Sequence, residues 1–335
     1  MRRLRSPVAL LALGLVVLAI LLAGFVIPSS DYIFLPDPAH PVAPLVTVQG
    51  GRDTTAKRGG IYFVDVVVRK ATLLEKLFGG LHEGADLYPA SAVNPPGTND
   101  RERRQIDLED MAQSQQVAAA VAEKAAGRKV VLTQIGAQVY EVEAGKPADG
   151  KLEPDDVITA VDGTRVKSPT GVFDAMRKVE PGQTVGFTIR RDNVQKAVSL
   201  KTVAEGTGKA RRAVVGVFLQ TALDIHVPVP VRIDAGGVGG PSAGLAFALE
   251  VLKQLGRNVT HGHRVAATGE IFPDGSVGPI GGVKQKTIGA RKAGVDAFLV
   301  PVGDNARVAR RYAHGLRIIP VKSFQQALHA LATLR

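Results

Sequence analysis

The residues with the most chemical potential lie in Gly236-Gly237-Val238-Gly239-Gly240-Pro241-Ser242-Ala243-Gly244, followed by an apolar run through Leu255. Five of these nine are glycines, which let a backbone take positive φ and approach another chain closely. A helical pattern begins at Ser242, so its hydroxyl stands at a helix mouth, where unpaired N–H groups form an anion site. A serine placed there has oxyanion donors beside it, in the loop Gly240, Pro241 and Ala243, as acyl transfer requires. The plain alternative is a glycine-rich turn closed by a serine cap. A phosphate loop is the weaker glycine-rich reading, because no Gly-Lys-Ser/Thr follows.

Further motifs lie downstream. Thr268-Gly269-Glu270-Ile271 leads to Gly278-Pro279-Ile280-Gly281-Gly282-Val283-Lys284-Gln285-Lys286, and then to Ala290-Arg291-Lys292-Ala293-Gly294. In order and spacing these motifs resemble the proteolytic domain of Lon-type serine peptidases, which use a Ser-Lys dyad. The resemblance implies that Ser242, in Pro-Ser-Ala-Gly, is the nucleophile. It makes Lys286, the second lysine of Gly-Gly-hydrophobic-Lys-x-Lys, the general base, and Thr268 a hydroxyl that helps hold that lysine. Two departures accompany it. Gly239 stands where Lon-type ATP-dependent enzymes tend to carry an aspartate, and no Walker motif precedes the domain, so no ATPase is expected.

A lysine acts as a base only when neutral, so its pKa must fall from about 10.4 to roughly 7–8 by desolvation. If Gly281-Gly282 opens a helix, Val283, Lys286 and Ala290 share a face that can be buried while Lys284 stays solvated. The bland account of Lys286 is a surface lysine on an amphipathic helix.

The elements that must position these residues belong to a chain of 335 residues, long enough for two or three domains with real cores. It has no cysteine, which excludes disulfides, thiol catalysis, cysteine metal sites and a lipoprotein anchor. Net charge is +11, but the basic residues are scattered and aromatics are only 5%, so nucleic-acid binding is not expected. The charge reads as a solvated surface facing anionic lipid or cell-wall polymer. His226, His261 and His263 show no metal-ligand spacing and read as solvated or locally hydrogen-bonded; no metal or cofactor is expected.

Residues 1–27 read as an Arg-rich end (Arg2, Arg3, Arg5) and an uncleaved transmembrane helix, Val8–Ile27, twenty residues without a charge. The arginines should stay cytoplasmic, which places the bulk of the chain outside the cytoplasmic membrane on a single-pass anchor. A cleaved signal peptide is the competing reading. Residues 28–60, with Pro28, Pro36, Pro38, Pro41 and Pro44, suggest an extended tether. Residues 61–128 suggest an α/β scaffold: a strand over Ile61–Val68, a short helix over Ala71–Phe78, a loop at Pro95-Pro96-Gly97 and a helix over Asp107–Ala126.

Residues 129–205 suggest a small β-rich domain whose order of elements resembles a PDZ domain of the bacterial protease type. Asp155 replaces the glycine that the family usually has before the aspartate, here Asp156. PDZ domains bind peptides by adding a strand to an open sheet edge, here expected between Gly136–Val142 and the helix Thr170–Met176. No Gly-Leu-Gly-Phe-like carboxylate loop is evident. A domain serving only as spacer is the alternative.

Residues 210–335 form the Lon-like part, with strands over Val214–Leu219, Val227–Ile233, Arg264–Ile271 and Ala297–Val302. Helices are expected over Ser242–Leu255, Lys284–Ala293, Asn305–Ala313 and Ser323–Leu334. The fold class is α+β: an N-terminal transmembrane helix, a PDZ-like domain and a C-terminal α/β Lon-type domain. Together these resemble the membrane-anchored PDZ–Lon proteins of bacteria. The resemblance implies an ATP-independent serine endopeptidase acting on unfolded or membrane-tethered proteins or peptides, and a homo-oligomer, by family habit a hexamer. An idle PDZ scaffold or a holdase of the cell envelope is the alternative.

Overall fold

The computed structural model describes residues 7–54, 59–94, 100–206 and 211–334, without the side chains of 7–9, 17, 20, 21, 23 and 102. Arg2, Arg3, Arg5 and the Pro95-Pro96-Gly97 loop therefore lie outside the described residues. The chain divides into two compact units. One combines Met1–Pro95, Asp100–Gly127 and Val229–Arg335; the other centres on Arg128–Pro228. This division differs from the segments expected above, because the first unit draws on both ends of the chain.

Its N-terminal share begins with α1 (Pro7–Val26). Among the described residues no helix is long and apolar enough to cross a membrane, and the expected span Val8–Ile27 falls partly on side chains outside them. Next come β1 (Pro28–Pro36), β2 (Gly60–Phe63), β3 (Val66–Thr72), α2 (Leu73–Leu77), β4 (Asp86–Pro89) and α3 (Asp100–Ala125). Residues 28–60 are not a tether. β1 is the middle strand of a sheet ordered β3-β1-β4, antiparallel to both neighbours, and its Tyr32 and Ile33 are buried. Extended backbone suits a tether and a strand alike, and prolines at the ends of a strand, as Pro28 and Pro36 are here, do not interrupt its ladder. The strand expected over Ile61–Val68 is two strands, broken at Val64-Asp65, where the chain passes from one sheet to another.

The second unit contains β5 (Val131–Val142), β6 (Val157–Val161), α4 (Pro169–Met176), β7 (Thr184–Arg191), β8 (Val194–Lys201) and β9 (Val217–His226). Its sheet runs β8-β7-β6-β5-β9. Inward residues Val139, Ile158, Val161, Phe187, Ile189 and Leu200 form its core. The expected peptide strand Gly136–Val142 lies inside this sheet, paired to β6 and along its length to β9. The edge strands are β8 and β9, and most of the strand expected at Val214–Leu219 belongs to β9, in this unit rather than in the Lon-like part.

The first unit resumes with α5 (Gly244–Gln254), β10 (Arg264–Ala267), α6 (Val283–Lys292), β11 (Ala297–Pro301) and β12 (Arg317–Val321). β2, β10, β11 and β12 lie side by side and parallel, with His40–Pro41 antiparallel at the β2 edge. β11, Ala-Phe-Leu-Val-Pro, is buried at every position, the near-continuous apolar run of a strand covered on both faces. All of α5 is buried, and α3 packs against it, with Ala118, Ala119, Ala120 and Ala122 of α3 buried. The 61–128 segment is thus integral to this unit, supplying one parallel strand and its longest described helix.

The N-terminal segment is locked onto α6 at one point. A Cβ on Gly289 would lie 1.9 Å from the Asp37 carbonyl oxygen, and the Ala39 N–H donates to the Gly289 carbonyl at 3.3 Å. Gly289→Ala should cost about 1–3 kcal/mol through overpacking against rigid backbone, read as a lower melting temperature. A true tether would leave stability unchanged.

Candidate active site

Ser242 lies in a 3-10 turn, Pro241–Ala243, that leads directly into α5. The turn is held from three sides. The Ser242 carbonyl accepts from the Gly269 N–H at 2.8 Å and from Thr268 Oγ1 at 3.2 Å. Ser114 Oγ on α3 donates to the Pro241 carbonyl at 3.0 Å, and the Gly240 N–H donates to the Asp107 carbonyl at 2.6 Å. That last bond commits the Gly240 N–H to α3, so it is not free to hold an oxyanion. Thr268 likewise grips the serine's own backbone, where the resemblance implied a contact to lysine.

Gly239 has a structural reason. A Cβ there would lie 2.6 Å from Asp107 Cβ and 3.2 Å from its carbonyl carbon, so α3 fills the space an aspartate side chain would need. Asp107 itself brings a carboxyl to this place; burial pushes its pKa up, against Arg103 and Arg104, which pull it down.

Lys286 Nζ donates to Ser242 Oγ at 2.7 Å. α6 starts from Gly282 in the left-handed region, φ 66°, and buries Val283, Lys286 and Ala290 together. Lys286 is only 5% exposed. Burial lowers its pKa to about 8, while the Asp65 carboxylate acts the other way. Lys284 is not simply solvated: its Nζ bonds Asp86 Oδ1 at 2.7 Å and the Ala85 carbonyl at 3.2 Å.

Asp65 and His40 escaped the sequence reading. Phe63 at the end of β2 lies opposite Ala267 at the end of β10, so Asp65 and Thr268 both emerge beyond the carboxyl ends of adjacent parallel strands, where open α/β sheets place ligands. Burial, then the Asp37 carboxylate, push the Asp65 carboxyl up; His40 and Lys286 pull it down. Asp37, His40 and Asp65 hold one potential ligand atom each within 4.8 Å of one another. In this group His40 Nε2 lies 2.7 Å from Asp37 Oδ2, within hydrogen-bond distance. A cavity of about 590 Å³ adjoins it, lined among others by His40, Leu45, Phe63, Asp65, Asp234 and Val238. Of the histidines singled out in the sequence, His226 faces Asp224 at 3.4 Å and His263 faces Asp296 at 3.6 Å.

In the second unit, α4 packs near β9 and β5, and β9 begins at Val217 just after Gly216, which has φ 79°. The Gly216 carbonyl accepts from the Glu143 N–H at 2.9 Å. Val215-Gly216-Val217-Phe218 thus occupies the turn into the edge strand.

Comparison with known proteins fits this geometry. Residues 188–333 match the family model of the Lon protease (S16) C-terminal proteolytic domain, and residues 127–202 match that of the PDZ domain. A Lon protease of Helicobacter pylori is 34% identical over 137 residues, 40% of this chain and 16% of that protein. A Lon protease of Roseiflexus castenholzii is 34% identical over 164 residues, 48% of this chain and 19% of that protein. One from another Helicobacter pylori strain is 33% identical over 204 residues, 58% and 22%. The chain thus matches less than a quarter of the length of these relatives. It carries a PDZ domain and a Lon-type serine-peptidase domain.

Two outcomes follow from the buried amine. Because burial holds the Lys286 pKa near 8, below the ordinary lysine value, the unfolded chain binds the extra proton between these limits and stability rises with pH there. Lys286→Met should therefore raise the melting temperature at pH 7 by a few degrees, with the gain shrinking toward pH 10. Asp65→Asn removes the charge that favours the ammonium, so the rate of Ser242 modification by a sulfonyl fluoride should reach its half-maximum at lower pH than in the parent. An unchanged profile would separate Asp65 from the lysine.

Proposed function

We propose that this protein is a membrane-anchored serine endopeptidase that works without nucleotide. The observation that carries the reading is the 2.7 Å contact between a buried Lys286 Nζ and Ser242 Oγ. Neutral Lys286 takes the Ser242 proton as Oγ attacks the scissile carbonyl carbon. The oxyanion is assigned to first-turn N–H groups at Ser242 and Ala243, which a helix start leaves without intrahelical partners. Lysine then returns the proton to the leaving amine, and water, deprotonated by the same lysine, releases the acyl group and restores Ser242. Thr268 keeps the serine backbone in place. The cavity beside Asp65 gives room for substrate side chains flanking the scissile bond.

The substrates are proteins or peptides that reach the site already unfolded, since no Walker motif occurs in the sequence. Extended segments would add to the β9 edge of the PDZ domain, and from His226 the chain continues to the Ser242 loop with only the short strand Val231–Ile233 between. Anchoring through α1 is supported by ten large apolar side chains, from Leu10 to Ile27, that stand exposed, a surface that suits hydrocarbon rather than water. Arg2, Arg3 and Arg5 before this helix favour an extracytoplasmic position for the rest. Assembly into a ring of like subunits is part of the proposal on the Lon resemblance alone.

The solubilised full chain should digest unfolded casein without nucleotide, with kcat/KM rising through about pH 8. Ser242→Ala and Lys286→Ala should each lose at least about a thousandfold in rate while remaining folded. Residual cleavage by the folded Ser242→Ala form would sink the mechanism; binding without cleavage by the parent would make the protein a scaffold or holdase.

A further inference from the structure

The short helix α2 is joined to the end of α1. The Leu73 N–H donates to the Ile27 carbonyl at 3.1 Å, and a Cβ on Gly24 would lie 2.8 Å from Leu74 Cγ. α2 is held in shape by a capping box, in which Thr72 Oγ1 accepts from the Glu75 N–H and the Glu75 carboxylate accepts from the Thr72 N–H. It buries only Leu74 and Glu75. Toward solvent the segment presents Leu73, Leu77, Phe78 and Leu81, at 39%, 75%, 59% and 48% exposure. Four large apolar side chains within nine residues form a patch continuous with Val26 and Ile27, themselves 79% and 47% exposed.

The charges around this patch are matched inside the protein. Lys76 pairs with Asp31 at 3.0 Å, Arg69 with Glu75 at 2.6 Å, and His82 with the same Glu75 at 2.7 Å. What the patch offers a partner is therefore apolar area rather than net charge. We infer that Leu73–Leu81 is a second membrane contact, a platform lying at the headgroup–acyl boundary of the leaflet from which α1 emerges. The inference rests on the reading of α1 as a membrane anchor. It commits to phospholipid as the occupant because the end of α1 is within one hydrogen bond of the patch, so a bilayer around α1 reaches Leu73 without further motion. An interfacial segment of this kind gains from buried apolar side chains, and here it does so without anionic lipid.

The platform also leads to the active site. Beyond Leu81 the chain bonds to α6 repeatedly: Glu83 pairs with Arg291 at 2.6 Å, the Gly84 carbonyl accepts from Gln285 Nε2 at 3.0 Å, and Asp86 accepts from Lys284 at 2.7 Å and from Gln285 at 2.8 Å. Lys284 and Gln285 immediately precede Lys286. A docked platform would thus hold the lysine's helix at a fixed height above the lipid, suited to substrates that are themselves tethered to the membrane.

The absence of cysteine makes single-site labelling clean. An environment-sensitive fluorophore would be placed on Cys at Phe78→Cys, Leu81→Cys, Leu13→Cys or Val194→Cys in the full chain, reconstituted in nanodiscs of zwitterionic phospholipid. Shallow-depth nitroxide lipids should quench the probes at 78 and 81 at least twofold more than the probe at 194, unchanged by 1 M salt or added anionic lipid. Leu77→Glu should reduce quenching at 78 and 81 and leave the probe at 13 in hydrocarbon. Hydrocarbon-like emission at 13 without quenching at 78 or 81 overturns the platform and leaves the anchor standing. Water-like emission at 13 overturns the anchor, and with it this inference. Quenching at 78 and 81 that appears only with anionic lipid overturns the apolar basis of the contact.

Discussion

The burial of one amine is the constraint on which the site in the first unit depends. Keeping Lys286 out of water disfavours its charged form, and the pKa of about 8 corresponds to a destabilisation of roughly 3 kcal/mol when the group is protonated. The surrounding fold must supply that from apolar packing. α5 is buried from end to end, α3, with a run of buried alanines, packs against it, and β11 is buried on both faces. Asp65 then moderates the effect, keeping the lysine from being too weak a base. The serine is held through its backbone rather than its side chain, by Thr268, Gly269 and the bond from Ser114 to Pro241, so its hydroxyl is left to the lysine alone.

How far this was legible depends on whether the physics is local. α5 and α6 follow from periodicity and from glycines at their starts, and the pairing of Ser242 with Lys286 follows from motif order. Asp65 was not legible, because it acts only when β2 lies beside β10, and nothing near residue 65 signals a partner strand some 200 residues later. The proline-rich segment misled for a related reason. Its residues favour extended backbone, and only the distant strands β3 and β4 decide that the extended chain is the middle of a sheet. Gly239 reads from sequence as a missing aspartate; in the structure it is the gap through which α3 approaches the nucleophile turn.

The second unit shows the same limit in another form. Its strands are recognisable one by one, but which of them is an edge depends on order in the sheet. β5 carries the alternating pattern of a peptide-binding strand, yet β9 covers it along its length. The apolar residues of β9 look alike whether they belong to the domain before or the domain after, and only the register with β5 assigns them. That assignment makes β9, and not β5, a strand with an unpaired side.

The parallel pairing of β2 with β10 has a consequence for how the molecule is made. Tyr62 and Arg264, joined across it by a hydrogen bond, are 202 positions apart, and the whole second unit is strung between them. Contacts this distant in sequence form late, because closure of the intervening chain must come first. During synthesis the second unit, continuous in sequence, can fold as its residues appear, while the sheet beneath the serine and lysine waits for the C-terminal strands. The Ser242–Lys286 pair therefore comes together only after the strands on both sides of the second unit have met.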